Sequence, residues 1–392
     1  MAELPRAEWT QRADLARLVA ALGPANTRWV GGAVRDTLLG LPVRDIDAAT
    51  PLPPSETIER LAAAGIRTVP TGIDHGTVTA SLPEGPVEVT TLRQDVSTDG
   101  RRATVAFARD WRDDAARRDF TINALYADPT TFELFDYFGG AEDLAAGRVR
   151  FIGDARERIR EDHLRILRYF RFQARFGAAL DAEAEAACAE LAPSLKGLSR
   201  ERVGWELLAL LALPDPAPTI ARMRELGVLA IVLPESGPPE IAALAGLVAA
   251  ETREGVAPEP VRRLAALLPP VPAVAEAVAA RLRLSKNQRA RLVCAAGRTL
   301  GADTDPRALA WAVGIACAID RLLLTGGDPG PLADWSVPPF PLKGGEIVAR
   351  GVSAGPQVAR LLQAVERRWV AEGFPDRSRV EALLAEELAR GD

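Results

Sequence analysis

Apolar positions are spaced in two different ways along this chain. Up to about residue 150 they come in short β-branched runs at 28–30, 77–81, 87–92 and 104–107, each bounded by Gly, Pro or Asp. That spacing predicts strands. Two amphipathic stretches, 9–22 and 55–64, interrupt them and read as helices, the second with Ser55 as its N-cap. From Asp154 onward the strand signal nearly vanishes, and long helical periodicities take over. Proline-rich joints at 214–218, 234–239, 269–272 and 329–341 break them. The pattern predicts a mixed α/β head followed by an α-helical remainder, with no internal repeat.

At 392 residues the chain is long enough for two or three domains, and 48% hydrophobic with 26% charged residues is a globular composition. Three cysteines, Cys188, Cys294 and Cys317, show no CxxC spacing and are too few for a disulfide framework, so we expect them unpaired in a reducing compartment. Two histidines make a His/Cys zinc site a poor expectation. The N-terminus lacks a basic start followed by an apolar core, and the apolar stretches 241–250 and 308–319 fall short of the roughly 20 residues of a membrane span. The expected location is cytoplasmic, with no membrane partner. A net charge of −5 argues against a surface coated in nucleic acid but leaves room for a local basic stripe.

Residues 29–50, WVGGAVRDTLLGLPVRDIDAAT, hold the first candidate chemistry. A short strand ends in Gly31-Gly32, and a helix-like stretch carrying Arg35 follows. Paired glycines at such a turn let backbone N–H groups approach phosphate oxygens. Asp45 and Asp47, at i and i+2 on a strand, point to one face and make a candidate site for Mg²⁺. On spacing alone, a turn and a solvated DxD on an edge strand explain the segment equally well.

Taken whole, the segment resembles the first motif of the class II tRNA nucleotidyltransferase and bacterial poly(A) polymerase family, in the polymerase-β-like nucleotidyltransferase superfamily. Later segments resemble the family's further motifs in order across residues 28–176. DHGTV at 74–78 with VEVTTLR at 87–93 resembles the next hairpin, where Glu88 is either a third acidic group or a surface strand residue. DAARRDFTINAL at 114–125 matches the second motif and reads as one or two helical turns. By resemblance, its Arg118 and Asp119 contact the ribose hydroxyls and triphosphate, and Gly31, Gly32 and Arg35 hold the triphosphate. Asp45, Asp47 and Glu88 are then the candidate catalytic groups, with Asp45 and Asp47 as metal ligands.

Nine arginines against four acids crowd residues 148–176. Within them, EDHLRILRYFRF at 161–172 resembles the family's EDxxRxLRxxRF motif, in which Asp162 and Arg165 form a protein template for the incoming base. Leu164, Leu167, Phe170 and Ala174 recur at helical spacing and should pack inward. The chemistry of such a template follows from the bases. Cytosine and adenine each set an exocyclic amino group beside an unprotonated ring nitrogen, so a carboxylate accepts from one and a guanidinium donates to the other. Uracil and guanine reverse both groups and leave them unpaired in a dry pocket, which is strong discrimination. Arg168 and Arg171 would orient the pair or hold phosphates. The alternative is an ordinary solvated helix with weak ion pairs.

The resemblance implies an α+β chain: a nucleotidyltransferase head with a mixed sheet (1–147), a helical neck with the template helix (148–212), and an all-α body and tail binding tRNA (213–392). It implies addition of C, C and A to the tRNA 3′ end from CTP and ATP, with Mg²⁺. CC-only or A-only addition, poly(A) synthesis and an inactive RNA-binding relative are the alternatives. Residues 93–113 match the full-length flexible loop of enzymes that switch from CTP to ATP, with Arg102 where the family expects histidine. A poly(A) polymerase should carry a Lys/Arg-rich C-terminal extension, which this sequence lacks. A metal phosphohydrolase function is excluded by the missing histidines. Complete CCA addition is therefore the expected activity, and the oligomeric state stays open.

Overall fold

In the computed structural model, which describes residues 3–99, 102–108, 110–301 and 304–390, the β-branched runs become neighbours in one sheet. Its strands are β1 (Arg28–Val30), β2 (Ile46–Thr50), β3 (Arg67–Gly72), β4 (Thr77–Ser81), β5 (Val87–Thr91), β8 (Leu125–Ala127) and β9 (Leu134–Asp136). They lie in the order β3-β4-β5-β2-β1-β8-β9. Only β2 and β5 run parallel; every other pair is antiparallel, so the sheet is mixed. Two further strands, β6 (Arg93–Asp99) and β7 (Arg102–Phe107), form a separate hairpin. Gly100, Arg101 and Arg109 of that segment, and the side chain of Arg102, lie outside the described residues.

Helices α1 (Ala13–Leu22), α2 (Gly32–Leu38), α3 (Pro54–Ala63), α4 (Trp111–Ala116) and α5 (Gly140–Ala145) accompany the strands. Two helix starts differ from the sequence reading. Thr10 returns its hydroxyl to the Ala7 carbonyl, so residues Glu8–Gln11 form a separate 3-10 turn before α1. Proline pre-sets φ for a first helical turn, and α3 therefore begins at Pro54 behind Pro53 rather than at a Ser55 cap.

Helices then dominate: α6 (Ala155–Glu161), α7 (Arg165–Phe176), α8 (Ala182–Leu191), α9 (Arg200–Leu211), α10 (Ala217–Glu225) and α11 (Val228–Val232). The arginine-rich stretch is not one helix. Asp162 is extended (φ −148°, ψ 103°) and closes α6, and its carboxylate accepts the Leu164 N–H at 3.1 Å to begin the next turn. Residue contacts divide the chain into two compact units, Met1–Leu210 with Pro218–Leu233, and Leu211–Ala217 with Pro234–Asp392.

The first unit contains an aromatic cluster that fixes α7 against the second motif. Phe120 is fully buried, its ring 4.8 Å from Phe151 and 5.3 Å from Phe172. Phe151 in turn stacks on Tyr169 at 5.9 Å. Of the expected inward residues, Leu164, Leu167 and Phe170 are buried, while Ala174 is only half-buried.

The second unit is all-helical and holds two features the sequence did not announce. Cys294, on the helix Lys286–Ala296, is disulfide-bonded to Cys317 on Ile315–Thr325, while Cys188 is free and buried. The expectation of three unpaired thiols is thus corrected. The two sulfurs are 23 residues apart in sequence and meet only because their helices pack together, which no local motif signals. The other feature is a buried ion network. Arg262 and Arg263 both donate to Glu251 at 2.8 Å, and Arg262 reaches Asp320 at 3.3 Å. Arg263 also donates to the carbonyls of Leu211, Leu213 and Pro214. No helix among the described residues is long and apolar enough to cross a membrane.

Candidate active site

The sheet register builds the centre of the site. Asp47 on β2 lies opposite Val30 of β1 on one side and Glu88 of β5 on the other. Paired residues on neighbouring strands present their side chains to the same face, so the Asp47 and Glu88 carboxylates stand side by side. Asp45 precedes β2 and is exposed. Burial, then Glu88, then Asp45 push the Asp47 carboxyl up to about 6, against the opposing charge of Arg118. Among the described residues no three His, Cys, Asp or Glu side chains converge tightly enough to ligate one ion.

Gly31 precedes α2 with φ +70°, a backbone conformation that favours glycine. A Cβ there would stand 3.3 Å from the Arg118 guanidinium, which passes close over the turn. Arg118 donates to Tyr126 Oη at 3.1 Å and to Asp114 at 3.2 Å, and Asp114 also accepts from Tyr126 (2.7 Å) and the Arg93 N–H (3.1 Å). The turn, Arg118 and Asp47 thereby share one corner of the sheet.

The second motif is mostly irregular rather than helical. α4 ends at Ala116, and Phe120 is extended and bridges to Phe151. A 3-10 turn at Thr121–Asn123 follows, leading into β8. Asp119 causes the break by accepting from the Phe120 N–H at 2.9 Å and the Asn123 amide at 3.0 Å. Its other oxygen takes both Nε (2.8 Å) and Nη2 (2.5 Å) of Arg168. Burial would raise this carboxyl, but Arg168, Asn123 and the Phe120 N–H hold it below the usual carboxylate range. Gly140, at the start of α5, is needed for close approach: a Cβ there would meet the Thr121 carbonyl oxygen at 2.2 Å.

Not every sequence-predicted residue faces an open site. Arg35 is buried and spends its donors on Asp36 (2.8 Å) and Asn123 (2.5 Å), with its guanidinium 4.5 Å from the Phe176 ring centre. Gly32 opens α2, its nearest neighbour being Arg35 at 3.7 Å from an added Cβ. Asp162 and Arg165 are joined through the backbone, Arg165 N–H to Asp162 carbonyl at 3.0 Å. Their side chains take different partners. Asp162 holds Arg202 at 2.7 Å, and Arg165 holds Glu161 at 2.6 Å and the carbonyls of Arg158 and Arg117. Arg171 bonds Glu206 at 2.7 Å, and Arg168 stands 3.7 Å from the same carboxylate. Glu206 and Arg202, both on α9, were missed by sequence reasoning. The available signal was an acid flanked by Trp205 and Leu207 at the head of the apolar second half of α9.

Comparison with known proteins places the chain in a family. A family model described as the poly A polymerase head domain matches residues 27–150. A second, described as "Probable RNA and SrmB- binding site of polymerase A", matches residues 177–237. The mitochondrial CCA tRNA nucleotidyltransferase 1 of Mus musculus is 39% identical over 376 residues, covering 88% of this chain and 83% of that protein. A CCA-adding enzyme of Streptococcus pneumoniae is 45% identical over 188 residues, covering 47% of this chain and 46% of its own length. Among solved structures, the Bacillus stearothermophilus CCA-adding enzyme in complex with CTP superposes with a TM-score of 0.77 at 27% identity, over 97% of this chain and 99% of that one. The Thermotoga maritima CCA-adding enzyme complexed with tRNA shares the fold at a TM-score of 0.71 and 22% identity, over the full length of both chains. With that identity extending through both units, the chain belongs to the CCA tRNA nucleotidyltransferase family.

Proposed function

We propose that this protein adds C, C and A to the 3′ end of tRNA from CTP and ATP, releasing pyrophosphate. The observation that carries the reading is the row formed by Asp47 and Glu88 across β2 and β5, with Asp45 just before it and Arg118 closing over Gly31. A carboxyl group pushed up by burial and two like charges is relieved by a cation. Mg²⁺ is commonly held by one or two carboxylates and the substrate phosphates, which suits Asp45 and Asp47. So bound, it would favour the alkoxide form of the 3′-hydroxyl and the departure of pyrophosphate.

The chain's own residues then do the positioning. Arg118 and the Gly31-Gly32 turn receive the triphosphate, and Asp119, kept ionised by Arg168, accepts from ribose hydroxyls. Arg35 acts through Asn123, which it braces against Asp119. Asp162 and Arg165 read the base edge, exchanging their present partners Arg202 and Glu161 for the amino group and ring nitrogen of C or A. Glu88 adjusts the charge at Asp47. Catalysis is largely positioning and electrostatics.

We take the two motif-bearing segments 1–147 and 148–212 as head and neck, and 213–392 as body and tail. We place the activity in the cytoplasm; the vertebrate relatives are mitochondrial by name.

The test supplies Mg²⁺ and a tRNA transcript lacking its last three nucleotides, with CTP, ATP or both. Growth by two with CTP and by three with both supports complete addition. Two with both makes the protein a CC-adding enzyme. One A added only to a transcript ending in CC makes it an A-adding enzyme, and a long A ladder makes it a poly(A) polymerase.

A further inference from the structure

Trp205 lies outside the sequence motifs that suggested the function, within the segment 177–237 matched by the second family model. Among the described residues it is the most exposed of the large hydrophobic side chains, with 64% of its surface open, and it sits in the middle of a twelve-residue helix whose Val203, Glu206, Leu207, Leu210 and Leu211 are buried. An isolated exposed apolar side chain needs no explanation by itself. Its surroundings supply one. The next residue, Glu206, is buried and bonded to Arg171, so the backbone carrying the ring is pinned to α7. The Arg171 guanidinium lies 5.9 Å from the Trp205 ring centre and 4.6 Å from that of Phe172. One turn back on α9, Arg202 holds Asp162, the candidate base-reading carboxylate.

A flat aromatic surface open to water beside a guanidinium group is what a nucleobase stacks on when its phosphates need positive neighbours. Asp162 and Arg165 take the edge of one base. A ring placed beyond Arg202 is offered to a different one. Given the proposed function, on which this inference rests, the other nucleic acid in the reaction is the single-stranded 3′ end being extended. We infer that Trp205 is a stacking platform for an unpaired base at the 3′ end of the RNA substrate, with Arg171 and Arg202 beside it to meet the phosphates. It acts in holding the strand and takes no part in reading the incoming nucleotide.

The full chain with Trp205→Ala, Trp205→Phe or Trp205→Leu separates the possibilities. The readouts are the Kd for a tRNA transcript lacking its last three nucleotides, the KM for CTP, and the melting temperature. Loss of one stacked base weakens tRNA binding about tenfold in Trp205→Ala. Trp205→Phe restores most of it, Trp205→Leu does not, and the KM for CTP and the melting temperature stay put. An unchanged Kd in Trp205→Ala overturns the inference. So does a leucine variant that binds as well as the phenylalanine one, which would mean mere apolar cover, or a raised KM for CTP with tRNA binding intact, which would put the ring on the incoming base. If the wild type neither binds nor extends the transcript, the functional reading itself falls. If the wild type does both and Trp205→Ala does equally well, only the platform falls.

Discussion

Asp47 stands between a neutral strand neighbour and two like charges, so its substitution tests the charge balance of the site directly. Asp47→Ala is expected to lower nucleotide incorporation about a thousandfold or more while leaving the Kd for tRNA within error. Unchanged turnover would remove the metal assignment. Arg165 poses a different question, because its donors now rest on Glu161 and two carbonyls. Arg165→Ala should raise UTP use relative to CTP by roughly ten- to a hundredfold before overall rate collapses, since the penalty for a mismatched base lies in unpaired groups. A variant that stays faithful to C and A would refute the template.

Between residues and elements stands Asp114, which joins α4, β6 and β8 by accepting from Arg118, Tyr126 and the Arg93 N–H. Burial would raise its carboxyl, but Arg118, Tyr126, Arg117 and the Arg93 N–H hold it below the ordinary value. A group depressed in the folded state stabilises fully above its unfolded value, near about 4, and that stability drains away as the pH falls through the folded value. Urea unfolding across about pH 2 to 6 should therefore show a steep acid limb in the wild type and a shallower one in Asp114→Asn, which should also be less stable at pH 7. The same parallel slopes in both would show that Asp114 carries none of the acid sensitivity.

The strands β1, β4, β5 and β7 were legible because β-branched runs ended at turn residues; the DxD spacing marked Asp45 and Asp47, but Asp45 lies before the strand, and the pairing of Asp47 with Glu88 comes from the β2–β5 register. What stayed hidden depends on side chains overriding local pattern. Asp119 and Asp162 spend their oxygens on nearby N–H groups, which converts expected helix into irregular chain in both motifs. The short strands β8 and β9, LYA and LFD, contain no β-branched residue and so gave no strand signal. Arg35 reads as a phosphate ligand because its burial depends on Phe172 and Phe176, more than a hundred residues downstream.

For the molecule as a whole, the second unit buries a charge network beside its apolar clusters, one of which gathers Ile347, Val365, Trp369 and Leu383. Glu251 is almost completely buried and is shared by two arginines that are equally inaccessible. Removing a single partner from such a set strands charges without water. Glu251→Ala should cost about 3–5 kcal/mol of stability, measured by urea unfolding. A loss below about 1 kcal/mol would mean that Asp320 and the backbone carbonyls suffice for both guanidinium groups.

Arg263 has one more consequence, and it concerns proteases. Exposed loops and linkers between compact units are where a chain is ordinarily nicked, because an endopeptidase needs to draw several residues of extended backbone into its cleft. Leading into the joint at 214–218, the carbonyls of Leu211, Leu213 and Pro214 are already occupied by a buried guanidinium. This joint is a poor substrate for digestion despite its composition, and the chain should survive cleavage there for as long as Glu251 keeps Arg263 in place.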